Sequence, residues 1–82
     1  MEVFKTSGVC AKEIQFKIEN NKIVDMDFVG GCDGNLKGLS QLCLNMDIDD
    51  VIERLQGISC GRKNTSCPDQ LTKALLKYKT TA

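Results

Sequence analysis

Five cysteines among 82 residues, with no histidine and no tryptophan, are the chain's main stock of reactive side chains. Without an imidazole it holds no Ser-His-Asp or Cys-His mechanism of its own, which removes most hydrolase chemistry. Four of the cysteines share a setting. Cys10 follows Gly8 closely, Cys32 lies between Gly31 and Gly34, Cys60 precedes Gly61, and Cys67 precedes Pro68. A cysteine that only fills a core has no need of backbone-permissive neighbours, whereas thiolates aimed at one shared centre do. Cys43 differs, because it falls in an apolar stripe at helical spacing.

The cysteine count is odd and the first residues, Met1 to Lys5, carry no export signal. Metal binding, a redox dithiol or buried thiols are therefore expected in place of a disulfide framework. Cys10 and Cys32 are separated by 21 residues, Cys32 and Cys60 by 27, and Cys60 and Cys67 by 6, so no CxxC knuckle is present. The context of Cys10, Cys32, Cys60 and Cys67, and not their spacing, points to a common metal: zinc first, an iron–sulfur cluster second. Cys32 and Cys67 also fall at expected helix starts, where the dipole and free amides favour a thiolate. The alternative is a thiol–disulfide pair, for which Cys60 and Cys67 are the closest in sequence. Arg62 and Lys63 beside Cys60 would offset the double negative charge of a four-thiolate zinc centre.

Two other clusters read as architecture. Gly30 to Asn35 joins a strand to a helix with glycines, but it lacks the G-x-G-x-x-G fingerprint and Asp33 would repel a phosphate. A tight turn presenting Cys32 explains it better; a nucleotide-binding regulator is the lesser alternative. Asp47, Asp49 and Asp50 sit where a helix start wants negative charge.

The elements that must position these cysteines follow from hydrophobic period. Ile14, Phe16 and Ile18 alternate with Glu13, Gln15, Lys17 and Glu19, and alternation returns over Lys22 to Val29 with Val24, Met26 and Phe28 on one face. Asn20-Asn21 between them is turn chemistry. Matching the two apolar faces pairs Ile18 with Val24, Phe16 with Met26, Ile14 with Phe28 and Lys17 with Asp25, which requires the three-residue loop Asn20-Asn21-Lys22. A strand over Glu2 to Ser7, joined through Gly8-Val9-Cys10-Ala11, completes a three-stranded antiparallel meander. Leu36, Leu39, Cys43 and Met46 mark a first helix, weakened by Gly38. Ile48, Val51, Ile52 and Leu55 mark a second, with Asp47 as N-cap and Gly57 as stop. A third carries Leu71, Ala74, Leu75 and Tyr78, with Ser66 and Asp69 as a capping box and Pro68 in its first turn. Thr80-Thr81-Ala82 are expected to fray. The expected fold is thus α+β: one domain over residues 1–82, a three-stranded antiparallel β-meander with about three helices packed on one face.

Eleven basic and eleven acidic residues give zero net charge, so non-specific nucleic-acid binding is not expected. The apolar runs are far short of the roughly 20 residues of a membrane span. A cytoplasmic protein follows as the expectation.

Three segments, Gly30-Gly31-Cys32-Asp33-Gly34-Asn35, Gly57-Ile58-Ser59-Cys60-Gly61 and Thr65-Ser66-Cys67-Pro68-Asp69-Gln70-Leu71, together resemble the TSCPD domain family, whose name stands in the chain as Thr65 to Asp69. The resemblance covers essentially the whole chain. It implies a relation to the carboxyl-terminal domain of vitamin B12-dependent ribonucleotide reductases and to short free-standing bacterial proteins that carry a ribonucleoside-diphosphate reductase label. By position, the family's motif cysteines fall on Cys32, Cys60 and Cys67, with Cys10 as a fourth member and Cys43 outside the set. The reductase activity itself is not implied, because a radical-generating barrel with cobalamin and nucleotide sites does not fit into one small domain. The expectation is a cysteine-ligated metal module that binds a partner, with ribonucleotide reductase as the first candidate; a redox carrier serving that enzyme is the alternative.

Overall fold

The computed structural model describes residues 2–6, 8–9, 11–31, 33–59 and 65–81. The chain runs β1 (Glu2–Lys5), β2 (Ala11–Glu19), β3 (Lys22–Gly30), α1 (Asp33–Cys43), α2 (Ile48–Leu55) and α3 (Cys67–Thr81). The strands form one antiparallel sheet in the order β1-β2-β3, as the alternating pattern requires. Its apolar face, with Ile14, Phe16, Ile23, Met26 and Phe28 buried, is covered by α1 on β3 and α3 on β2, while α2 packs on α3.

The central hairpin keeps part of the expected register and departs from it near the turn. Phe16 opposes Met26, Ile14 opposes Phe28 and Lys17 opposes Asp25, whereas Ile18 opposes Ile23 and not Val24. The loop is the two residues Asn20 and Asn21, with φ of 53° and 66°, the left-handed pair that a tight hairpin turn uses. A two-residue loop imposes one register and the matched apolar faces impose another. The chain reconciles them with a bulge that leaves Val24 as the extra residue of β3. Ile23 is consequently fully buried at 0% exposure, and Val24 is turned out at 38%. A second shift between Ala11 and Glu13 gives β2 an extra residue, Lys12, and brings Ala11 inward.

The first helix also ends earlier than its stripe suggests. Asn45 adopts a left-handed φ of 66°, and Met46 lies beyond the helix in a segment that pairs with the edge of β3. Asn45 N donates to Ile23 O at 2.7 Å, Ile23 N to Met46 O at 3.0 Å, and Ile48 N to Asn21 O at 2.9 Å. The buried stripe of α1 is therefore Leu36, Ser40 and Cys43, with Ser40 Oγ donating to Leu36 O at 2.9 Å. Asp47 caps α2 as expected, its carboxylate accepting from Asp49 N at 3.0 Å, and Gly57 follows the last turn with φ 86°. Asn21 Nδ2 donates to Asp47 and Asp49, and Lys79 pairs with Asp49, so the hairpin turn, the start of α2 and the end of α3 are fastened together. The helix α3 continues to Thr81, into the stretch expected to fray. Its stripe of Leu71, Ala74 and Leu75 is buried, and Tyr78 meets Phe16 edge to face with ring centroids 6.2 Å apart.

Candidate functional site

Of the four cysteines expected to converge, Cys67 lies among the described residues; Cys10, Cys32 and Cys60, with Arg62 and Lys63, lie outside them. Among the described residues no group of three or more Cys, Asp or Glu could hold a metal ion. The described residues next to these positions form the scaffold of the site.

The scaffold around Cys67 is a set of interlocked hydrogen bonds. Ser66 Oγ accepts from Asp69 N at 3.2 Å, the N-cap bond that the sequence suggests. The same hydroxyl donates to Ile58 O at 2.6 Å, tying the start of α3 to the segment after α2. Asp69 does not complete the capping box. Its carboxylate instead accepts from Gly57 N at 2.8 Å and from Thr65 Oγ1 at 2.7 Å, and Thr65 Oγ1 in turn accepts from Gln70 Nε2 at 3.0 Å. Asp69 is buried, yet the Thr65 hydroxyl, then the Gly57 amide, hold its carboxyl below the usual carboxylate range against the opposing effect of burial. Lys73 adds an ion pair one turn further on, at 3.6 Å.

Within the segment Thr65 to Asp69 the roles thus divide. Thr65, Ser66 and Asp69 are consumed by internal hydrogen bonds, and Pro68 lies in the first turn, where its missing N–H costs nothing. Cys67, half-buried at the first position of α3, is the motif side chain that the hydrogen bonds among the described residues do not use. Sequence reasoning gave Asp69 a local cap; its long reach to Gly57 was not visible, because it depends on how α2 and α3 pack.

Three contacts link the neighbours of the cysteines. Gly31, with φ 83°, stands so close to Ala11 that an added Cβ would lie 3.0 Å from Ala11 N and 2.7 Å from Leu36 Cδ1. This joins the residue after Cys10 to the residue before Cys32. A Cβ on Gly8, with φ 73°, would meet Thr65 Cγ2 at 3.5 Å, which sets the β1–β2 connection against the stretch leading to Cys67. The Ser66–Ile58 bond joins the residue before Cys67 to a residue two before Cys60. The close approach at Gly31 is to protein atoms, so packing accounts for this corner glycine without a bound phosphate.

Cys43 lies in the core, as expected for it. It is 2% exposed in the core cluster, and burial pushes its thiol up from the ordinary value. Both features suit a small packing residue and not a nucleophile.

No helix among the described residues is long and apolar enough to cross a membrane. No curated protein and no solved structure matches the chain. The family model described as "TSCPD domain" matches residues 2–79, nearly the whole chain and all three glycine- and cysteine-bearing segments. The chain therefore belongs to the TSCPD domain family, and with it is related to the carboxyl-terminal domain of ribonucleotide reductases.

Proposed function

We propose that this protein is a cysteine-ligated metal module, with Cys10, Cys32, Cys60 and Cys67 as ligands and zinc as the first candidate ion, that serves a partner protein such as a ribonucleotide reductase chain. The observation that carries the reading is the chain of contacts Ala11–Gly31, Gly8–Thr65 and Ile58–Ser66. Each contact joins residues flanking two different cysteines, and together they connect the surroundings of all four. Four thiolates satisfy the tetrahedral, sulfur-rich preference of zinc and equally the ligand set of an iron–sulfur cluster. Such a module needs no catalytic group of its own.

Elemental analysis with an optical spectrum, on protein purified without added metal, tests the reading. One zinc per chain, or the visible absorption of an iron–sulfur cluster, is the expected result. Replacement of any one of the four cysteines by Ser should release or weaken the ion, and metal-free preparations with four Ser variants that melt like the wild type would defeat the proposal.

A redox reading has one observation in its favour. The Ser66–Ile58 bond closes the segment that carries Cys60 near one stem and Cys67 just beyond the other. In that reading the Cys60 and Cys67 thiols give up two protons and two electrons to a partner's disulfide, which becomes a dithiol as the Cys60–Cys67 bond forms. Reversible two-electron oxidation that survives chelator and is lost only in Cys60→Ser and Cys67→Ser would support it over metal binding.

A further inference from the structure

The second notable surface of the molecule is an apolar groove of about 200 Å³ between α1 and α2. Leu42 and Met46 line one side, Val51 and Leu55 the other, with the buried Cys43 beneath and Arg54 at the exposed edge. The described lining includes none of the four cysteines proposed as ligands. Two features say what covers it. Leu42 is 76% exposed, the most exposed of the large hydrophobic residues described, so one helix carries an apolar knob beside a hole of matching chemistry. A surface with both knob and hole is complementary to itself under a two-fold rotation, the condition for an isologous interface. The second feature is charge. Asp50 and Arg54 lie one turn apart on α2, and neither has an ion pair among the described residues.

We infer that this groove is the interface of a two-fold homodimer of the chain, in which Leu42 of each copy enters the groove of the other. Antiparallel packing of the two α2 helices about their middle sets Arg54 of each against Asp50 of the other. The dimer then pairs two cations and two anions that have no ion pair among the described residues of the single chain. The apolar contact supplies the attraction and the crossed charges fix the direction of packing.

Sedimentation equilibrium on the full chain, from about 10 μM to about 500 μM, tests this. The wild type should self-associate to a dimer in this range. Leu42→Asp should be monomeric throughout, with an unchanged far-ultraviolet circular dichroism spectrum, because the residue is exposed in the single chain. Arg54→Asp and Asp50→Arg should each weaken association by about tenfold or more, and the double exchange should recover most of the loss. The recovery is a readout that a merely local effect on α2 would not give. A wild type that is monomeric throughout, a Leu42→Asp variant that still dimerises, or a double exchange no better than the single variants would overturn the inference. A monomer that binds the dye anilinonaphthalene sulfonate in a Leu42-dependent way would instead make the groove a small-ligand site.

Discussion

At the residue scale, Asp69 and the cysteines carry opposite kinds of role within one motif. Asp69 accepts from Gly57 N and Thr65 Oγ1 while buried, so Asp69→Ala leaves two donors without their acceptor and should cost about 1–3 kcal/mol in denaturant unfolding. Its folded pKa lies below the ordinary 3.8. The stabilisation is therefore full above the range in which the unfolded carboxylate titrates and is lost as pH falls through the lower folded value. Asp69→Asn removes that proton linkage, so the stability gap between wild type and variant should shrink as pH is lowered from 6 toward 2, a trend on the order of the linkage expected for one carboxylate. A gap that is constant with pH would show that Asp69 is not the linked group. For Cys43, buried within the core, Cys43→Ala should cost about 1 kcal/mol and leave metal content unchanged. Loss of metal in that variant would mean that the cysteines are divided wrongly. The core placement of Cys43 was legible in the sequence because helical period alone accounts for it. The work of Asp69 was not, since a carboxylate three residues after a serine at a helix start reads as a local cap until the neighbouring helix is in place.

At the element scale, sequence period located the three strands and three helices of the described residues, and failed where two local demands met. The Asn20-Asn21 turn and the alternating faces each had a clear signal, but they demand different registers, and only the bulge at Val24 satisfies both. Likewise Met46 kept helical spacing with Leu39 and Cys43, yet the left-handed Asn45 ends α1 and turns Met46 to the edge of β3. Competing signals of similar strength are settled by tertiary pairing, which period does not encode. The corner between β3 and α1 gives the sharpest test of an element junction. Gly31→Ala places a methyl group 2.7 Å from Leu36 Cδ1 and 3.0 Å from Ala11 N at a left-handed φ. Part of that clash is with backbone, so a loss of about 2–3 kcal/mol is expected, from strain as well as overpacking. Under the metal reading this variant should also lower metal affinity, because it pushes apart the neighbours of Cys10 and Cys32. Thermal melting and metal content measured together check both.

At the scale of the whole molecule, the four cysteines come from the connection after β1, the corner after β3, the loop after α2 and the start of α3, so one ion would join every part of the chain. Structural zinc in small peptides contributes roughly 10–16 kcal/mol of apparent binding free energy, more than the few kcal/mol expected for a core of this size. Chelator should therefore lower the melting temperature of the wild type substantially and leave the Ser variants, already metal-poor, nearly unchanged. Equal melting with and without chelator would favour the redox reading. A different consequence belongs to β1, the outermost strand, which has only β2 as a partner among the described residues. Its other side is paired by no strand among the described residues, and Val3, 57% exposed, sits within it. Brevity and charge are what guard it against fibril growth: four residues, with Glu2 at one end and Lys5, paired to Glu13 at 2.5 Å, at the other. Removing that gatekeeper by Lys5→Val should hasten thioflavin-positive aggregation on mild heating, while Val3→Lys should slow it.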